Sequence, residues 1–318
     1  MHIALVTPAP PRSRSGNRAT ASRWARLLRG LGHRVDVIVD RSDVNADLMI
    51  ALHAWRSATA IASFAAQYPE RPLVVVLTGT DAYRFIHSHP RQTLGSLVHA
   101  DRIVGLHALI GEMLPVELRH KLEVIYQSAR PVAGRSPPKR FFRVCMAGHL
   151  REEKDPLRPA HAVRDLPASS RLRVDAYGKA HTPKWAAAAA AEAAGNPRYR
   201  WHGEIGHARL RQIYRHSHLL VLSSRMEGGA NVISEAVMAG LPVVASQIPG
   251  SVGLLGDDYP GYYPVADAAA LRDVLLRAES DKTFYRQLTE ACAARRALFD
   301  EQREQQAWAH LLDTVRTA

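Results

Sequence analysis

Two carboxylates, Glu227 and Glu235, stand eight residues apart in the chain, and the turn Gly228-Gly229-Ala230-Asn231-Val232 lies between them. A carboxylate accepts hydrogen bonds from hydroxyl groups, while the amides that open a helix have no partner inside it and favour an anion. Acids and amides at this spacing suit a ligand that carries both hydroxyl and phosphate groups. Taken singly, Glu227 reads equally as an acidic helix cap and Glu235 as a solvated surface residue. Their context argues for the ligand.

Elements with little freedom of arrangement must position these groups. The apolar run at 219–222 reads as a buried strand. A helical pattern follows the turn and is closed by Gly240-Leu241-Pro242, and 243–245 form the next apolar run. Strand, glycine-containing turn, helix and strand make the βαβ unit of a doubly wound parallel sheet, whose ligands sit at the carboxyl ends of the strands.

The spacing of the two glutamates and the following Ala-Gly-Leu-Pro-Val-Val-Ala-Ser resemble the Glu-x7-Glu signature of glycosyltransferase family 4. The resemblance implies a GT-B fold, α/β throughout. Such a fold has two Rossmann-like domains with a cleft between them and a C-terminal helix that crosses back. It also implies that Glu235 binds the nucleotide ribose, that Glu227 lies by the donor sugar, and that the amides of 228–232 face the donor phosphate. Residues 141–147 read as the first strand of the second half, followed by Gly148-His149-Leu150-Arg151-Glu152-Glu153-Lys154. That run is similar to the family's Gly-Arg-Leu-x-x-x-Lys loop, whose basic residues neutralise the donor diphosphate. Lys154 matches it directly, His149 stands where arginine is usual, and Arg151 is the candidate replacement cation. Gly203, after a short strand, falls where family members hold the nucleotide base.

The first half shows the same alternation. Strands are expected at 3–7, 34–39, 48–52, 73–77, 102–106 and 122–126, with helices near 17–30, 56–67, 90–99 and 107–114. Asn17 is the expected N-cap of the first helix, approached through Gly16. The loop before it crowds Arg12, Arg14, Ser15, Gly16, Asn17 and Arg18 at a strand end. Guanidinium forks fit phosphate bidentately, so the loop suits an anionic acceptor, a solvated basic turn being the alternative. His53, the Thr78-Gly79-Thr80-Asp81 turn and Gln127 mark three further strand ends. The turn is similar to the family's His-Gly-x-Asp, with Thr78 in place of the histidine that would serve as general acid. Thr80 and Asp81 equally suit a helix cap, and His53 equally suits packing against backbone.

Within the family, the opening run 2–20 together with Leu52-His53-Ala54 and Leu77-Thr78-Gly79-Thr80-Asp81 resembles the selenosugar synthases of selenoneine biosynthesis. Those enzymes join the sugar of a UDP-sugar to selenophosphate. The resemblance implies a UDP-sugar donor, N-acetylglucosamine or glucose as the sugar, and no cofactor or metal. Arg151, Lys154 and Glu227 are then the catalytic candidates. Selenium is soft and strongly nucleophilic, which fits the missing histidine. A hydroxyl acceptor, or a nucleotide-sugar- or nucleic-acid-binding protein without catalysis, are the alternatives.

Composition narrows the partners. The formal net charge is +12, yet only six of the 42 basic residues are lysines, so the excess is arginine. No basic block interleaved with aromatics points to nucleic acid, and no Lys/Arg face opposed to Trp/Phe/Leu points to stable membrane association. No apolar run reaches the ~18 residues of a membrane span. Met1 leads directly into strand-like residues, leaving no room for a signal peptide, and the two cysteines, Cys145 and Cys292, read as buried thiols. A cytoplasmic location is expected. Three parts are expected, at 1–135 (acceptor side), 136–295 (nucleotide sugar) and 296–318 (the returning helix). The Pro-rich stretch 131–139 is expected to be a linker.

Overall fold

A computed structural model describes residues 1–39 and 43–316. Contacts divide the chain into two compact units, one of Met1–Gln127, Glu227–Gly229 and Glu301–Ala318, the other of Ser128–Met226 and Ala230–Asp300. The helix expected over 296–318 is α12 (Glu301–Arg316), and it clusters with the first unit. Its expected last two residues lie outside the described residues.

The first unit is a six-stranded sheet of β1 (His2–Val6), β2 (Arg34–Ile38), β3 (Leu48–Leu52), β4 (Leu73–Val76), β5 (Arg102–Gly105) and β6 (Leu122–Val124), in the order β2-β1-β3-β4-β5-β6. Every pairing is parallel. Strands of such a sheet are covered on both faces, which is why β3 and β4, and β1 from Ile3 to Val6, are uninterrupted apolar runs. Alternate residues serve opposite faces. Ile3, Leu5, Leu48, Ile50 and Leu52 enter one core with Trp24 and Leu28 of α1 (Gly16–Gly30) and Trp308 and Leu312 of α12. Ala4, Val6, Met49 and Ala51 enter the other, with Ile61 and Phe64 of α2 (Ala58–Gln67). A π-helical turn, Asp81–Phe85, leads through α3 (Ile86–Ser88) to α4 (Pro90–His99), which also packs on this second face. The helix expected over 107–114 is a 3-10 helix, Ala108–Met113.

Helix α12 is held by more than apolar contact. The Trp24 and Trp308 rings meet edge to face at 4.7 Å, and Trp24 Nε1 donates to Glu304 Oε1 at 2.6 Å. Arg26 adds a bond to Glu301 at 2.8 Å.

The second unit has β7 (Phe142–Ala147), β8 (Leu172–Tyr177), β9 (Tyr199–Trp201), β10 (Leu219–Leu222), β11 (Val243–Ser246) and β12 (Tyr262–Tyr263), again all parallel, in the order β12-β11-β10-β7-β8-β9. Its helices are α5 (Arg158–Ala162), α6 (Pro183–Gly195), α7 (His207–Arg215), α8 (Asn231–Met238), α9 (Pro249–Leu255), α10 (Ala268–Ser280) and α11 (Lys282–Ala294). The stretch expected to be a linker is tied to this unit. Val132 N donates to Met238 O, Ser136 N to Arg215 O, and the Arg135 guanidinium to Gly240 O. A Pro-rich sequence has no ladder of its own, so its carbonyls and amides are satisfied by the neighbouring chain instead.

The order of strands decides where ligands sit. In the second sheet the chain runs β7-β8-β9 in one direction, then returns to place β10 on the far side of β7. In the first sheet it places β2 on one side of β1 and β3 on the other. Both are topological switch points, where the connecting loops diverge above and below the sheet and leave a crevice at the strand ends.

Candidate functional site

At the second switch point the loops after β7 and β10 are sewn together. Ser223 Oγ, at the end of β10, donates to Lys154 O at 3.0 Å and Asp155 O at 2.9 Å. Arg225 N donates to Glu153 O at 2.8 Å. These bonds hold Glu152–Lys154 as a 3-10 turn that ends with Asp155 in the left-handed region, φ 41°. The Lys154 side chain folds back along the loop, its Cδ lying 4.0 Å from where a Cβ on Gly148 would stand. Arg151 Nε is 3.8 Å from Glu153 Oε2, an ion pair within the same loop. Arg225 makes another with Asp155, at 3.8 Å. Arg225 stands inside the turn that carries Glu227, and its local sequence does not show that it pairs with the neighbouring loop.

A third loop closes the wall. Gly178 lies so near Gly148 that a Cβ there would be 1.9 Å from Gly148 O, so glycine is required. Leu150 N donates to Lys179 O, and His181 N to Leu150 O. Lys179 N donates to His149 Nδ1 at 3.2 Å. With Nδ1 accepting from a backbone amide, the neutral ring carries its proton on Nε2. Gly203 follows β9 with φ 68°, and its carbonyl accepts from Gly178 N at 2.8 Å. It therefore belongs to the same row of strand-end loops.

Helix α8 begins at Asn231, with Ala230 as N-cap and no side-chain cap bond. Alanine is none of the usual cap acceptors Ser, Thr, Asp and Asn, so the N-cap residue itself offers no side-chain acceptor to the first-turn amides. Glu235 lies in the second turn. Its Oε2 accepts from Tyr214 Oη at 2.9 Å, and its Oε1 is 3.1 Å from His207 Nε2. Both partners come from α7, and neither was apparent in the sequence. Glu227, Gly228 and Gly229 cluster with the first unit and not with the helix they precede. Glu227 is buried. A Cβ on Gly228 would fall 2.3 Å from Gly79 N, so only glycine fits there.

At the first switch point Ser15, not Asn17, caps α1. Its Oγ accepts from Arg18 N at 3.4 Å, and the helix already includes Gly16 and Asn17. Serine competes well as a cap because its short side chain reaches the amide three residues on. Arg12 adopts φ 68° in the preceding loop, and Arg12 and Arg14 are exposed. Arg18 Nη1 is buried and has no hydrogen-bond partner.

His53, just past β3, is buried and held at φ 75°. A non-glycine residue in that region is strained, and such strain collects at functional sites. Its Nδ1 accepts from Arg56 N at 3.2 Å, which leaves the Nε2 proton for Thr80 Oγ1 at 3.0 Å. Asp81 does not cap the turn it opens. Its Oδ1 accepts from Thr78 N and its Oδ2 from Ala54 N, both at 2.9 Å, so it joins the loops after β3 and β4. Thr78 Oγ1 donates to the same Oδ1 at 3.3 Å. Asp81 is fully buried and thus a positioning residue for its neighbours. Gln127 is likewise buried, donating to Thr20 Oγ1 at 2.7 Å. Asp81→Ala is expected to destabilise the chain by about 2 kcal/mol, because the buried amide of Ala54 and the part-buried amide of Thr78 both lose their acceptor. Chemical denaturation measures this, and a change below about 0.5 kcal/mol would show that the loops do not depend on the carboxylate.

An unforeseen feature lies beside His53. The Trp55 and Phe85 rings stack at 4.0 Å, and His53 meets Phe85 at 5.7 Å. Both stacked rings are only half buried. Local sequence shows an aromatic in each place but cannot show that they meet across the turn.

Among known proteins, the family model described as glycosyl transferases group 1 matches residues 133–295, just over half of the chain. No curated protein matches. The structure is similar to that of HepE from Anabaena in complex with UDP and glucose, with TM-score 0.80, 16% identity, and coverage of 99% of this chain and 100% of that one. It is also similar to sucrose-phosphate synthase from Thermosynechococcus elongatus, with TM-score 0.79, 16% identity and 99% of each chain covered. A glycosyltransferase from Rickettsia africae follows, with TM-score 0.77, 14% identity, and coverage of 99% and 98%. These likenesses show a GT-B fold.

Proposed function

The chain belongs to the glycosyl transferases group 1, and from that premise we propose that it transfers a sugar from a UDP-sugar to selenophosphate. One observation carries the donor half of this reading. The Lys154 loop and the Ser223–Arg225 turn are bonded to each other at the switch point of the second sheet, in the turn that leads to the start of α8, whose N-cap is Ala230. That arrangement suits a diphosphate, with Glu235 within the same helix for the ribose. HepE, of the same fold, has been solved with UDP-glucose.

In the proposed reaction selenium attacks the anomeric carbon as the bond to the diphosphate oxygen breaks, and UDP departs with the electron pair. Lys154, Arg151 and the amides of the following turn meet the charge that grows on the leaving group. His149 donates from Nε2 to a phosphate oxygen, and Glu227 lies by the sugar. Three observations support an anionic acceptor. The first loop is rich in arginine, Arg18 Nη1 is buried without a partner, and the opening sequence resembles the selenosugar synthases.

A second reading, a hydroxyl acceptor, is favoured by the half-buried Trp55–Phe85 stack. An aromatic face beside a candidate site suits a sugar ring better than a small anion.

Incubation with UDP-N-acetylglucosamine is expected to release UDP only when selenophosphate is added. Release with a sugar or lipid alcohol but not with selenophosphate would favour the second reading. UDP binding without release under either condition would leave a binding protein.

A further inference from the structure

We infer that Tyr214 is a positioning residue for nucleotide recognition, orienting Glu235 so that both free lone-pair directions of its carboxylate face a vicinal diol. The inference rests on the reading that Glu235 binds the ribose.

Glu235 projects from α8 and Tyr214 from α7, two helices of the second unit. Tyr214 is completely buried, and its hydroxyl donates to Glu235 Oε2 at 2.9 Å. Burial pushes the Tyr214 pKa well up, with the Glu235 charge adding to the effect, so the phenol remains a donor throughout the working pH range. The other oxygen, Oε1, meets His207 Nε2 at 3.1 Å. The two contacts differ in environment. The His207 side chain is 65% exposed, where such pairs contribute little, whereas Tyr214 binds its oxygen from inside the core.

A carboxylate has roughly four acceptor directions, and the two contacts use one on each oxygen. One direction per oxygen is left, enough for two neighbouring hydroxyls. The Glu235 side chain is 17% exposed, so it reaches the surface with its inner edge anchored. An unanchored glutamate would lose rotamer freedom when the ligand bound, and the anchor has removed that freedom beforehand.

The test compares UDP with 2′,3′-dideoxy-UDP by calorimetry on the full chain, for wild type, Tyr214→Phe, His207→Ala and Glu235→Ala. Wild type should prefer UDP by about tenfold to a hundredfold, the range for hydrogen bonds to a charged acceptor, and Glu235→Ala should abolish that preference. Tyr214→Phe should reduce the preference at least about threefold while leaving dideoxy-UDP affinity unchanged. A general structural defect would weaken both ligands alike, and thermal unfolding checks that the isosteric variant is folded. In the Glu235→Ala background, Tyr214→Phe should have no further effect on the preference. If wild type shows no preference, or Glu235→Ala keeps it, the ribose reading fails and the inference with it. If Glu235→Ala abolishes the preference but Tyr214→Phe retains it in full, the ribose reading stands and the positioning role is wrong. Loss of the preference in His207→Ala but not in Tyr214→Phe would also overturn it.

Discussion

Lys154→Ala is expected to lower turnover by about a hundredfold to a thousandfold, while donor affinity falls by less than about tenfold. The asymmetry follows from where charge appears. In the ground state the oxygen that joins the diphosphate to the sugar is an uncharged ester oxygen, and it becomes anionic only as the glycosidic bond breaks and the electron pair moves onto it. A cation beside that oxygen is worth more in the transition state than in the bound substrate. The fold supports such placement because the Lys154 carbonyl is held by Ser223 and its stem passes over Gly148, so the chain around it is fixed before substrate arrives. Steady-state kinetics with varied donor, together with calorimetry of UDP binding, separate the two effects. A raised donor Michaelis constant with unchanged turnover would show Lys154 to be a uniform binder and remove its transition-state role.

Replacing Arg12, Arg14 and Arg18 together by glutamine should raise the acceptor Michaelis constant by about a hundredfold or more, with UDP affinity nearly unchanged. The arginines surround the start of α1, whose first-turn amides favour an anion. Arg18 Nη1 is the sharpest sign, since a buried guanidinium nitrogen without a partner is costly unless something fills the place. Phosphate and thiophosphate should compete with the acceptor, and added salt should weaken its binding, less than for an exposed charge. The assay is run at saturating donor. Wild-type acceptor kinetics in the triple variant would mark the loop as a solvated basic turn, and the acceptor would then be sought around His53, Thr80 and the Trp55–Phe85 stack.

The sequence alone determined the strand–turn–helix–strand at 219–245 and the strand before Lys154. Residues 219–222, 243–245 and 144–147 are unbroken apolar runs, as strands buried on both faces require, and the glycines near their ends serve local backbone geometry. Those signals lie within a few residues of each other, so spacing is enough to read them. The acids and basic residues at the strand ends were legible for the same reason.

Partnership across the fold was decided only by tertiary structure. Asn17 and Ser15 are both good caps by type, and the geometry of the incoming loop chose Ser15. Asp81 is a capping residue by type, yet it turns back to the amides of Thr78 and Ala54, because parallel pairing of β3 and β4 brings their ends side by side. The stretch 131–139 has a linker's composition, but the ends of α7 and α8 bind it to the second unit. Tyr214 and His207 lie 21 and 28 residues from Glu235 in the chain. No periodicity links them to it. Their meeting depends on strand order, which puts β10 beside β7, and on how α7 and α8 then pack. Local sequence specifies which groups stand at the strand ends, while the long-range packing of helices on the sheet decides which of them touch.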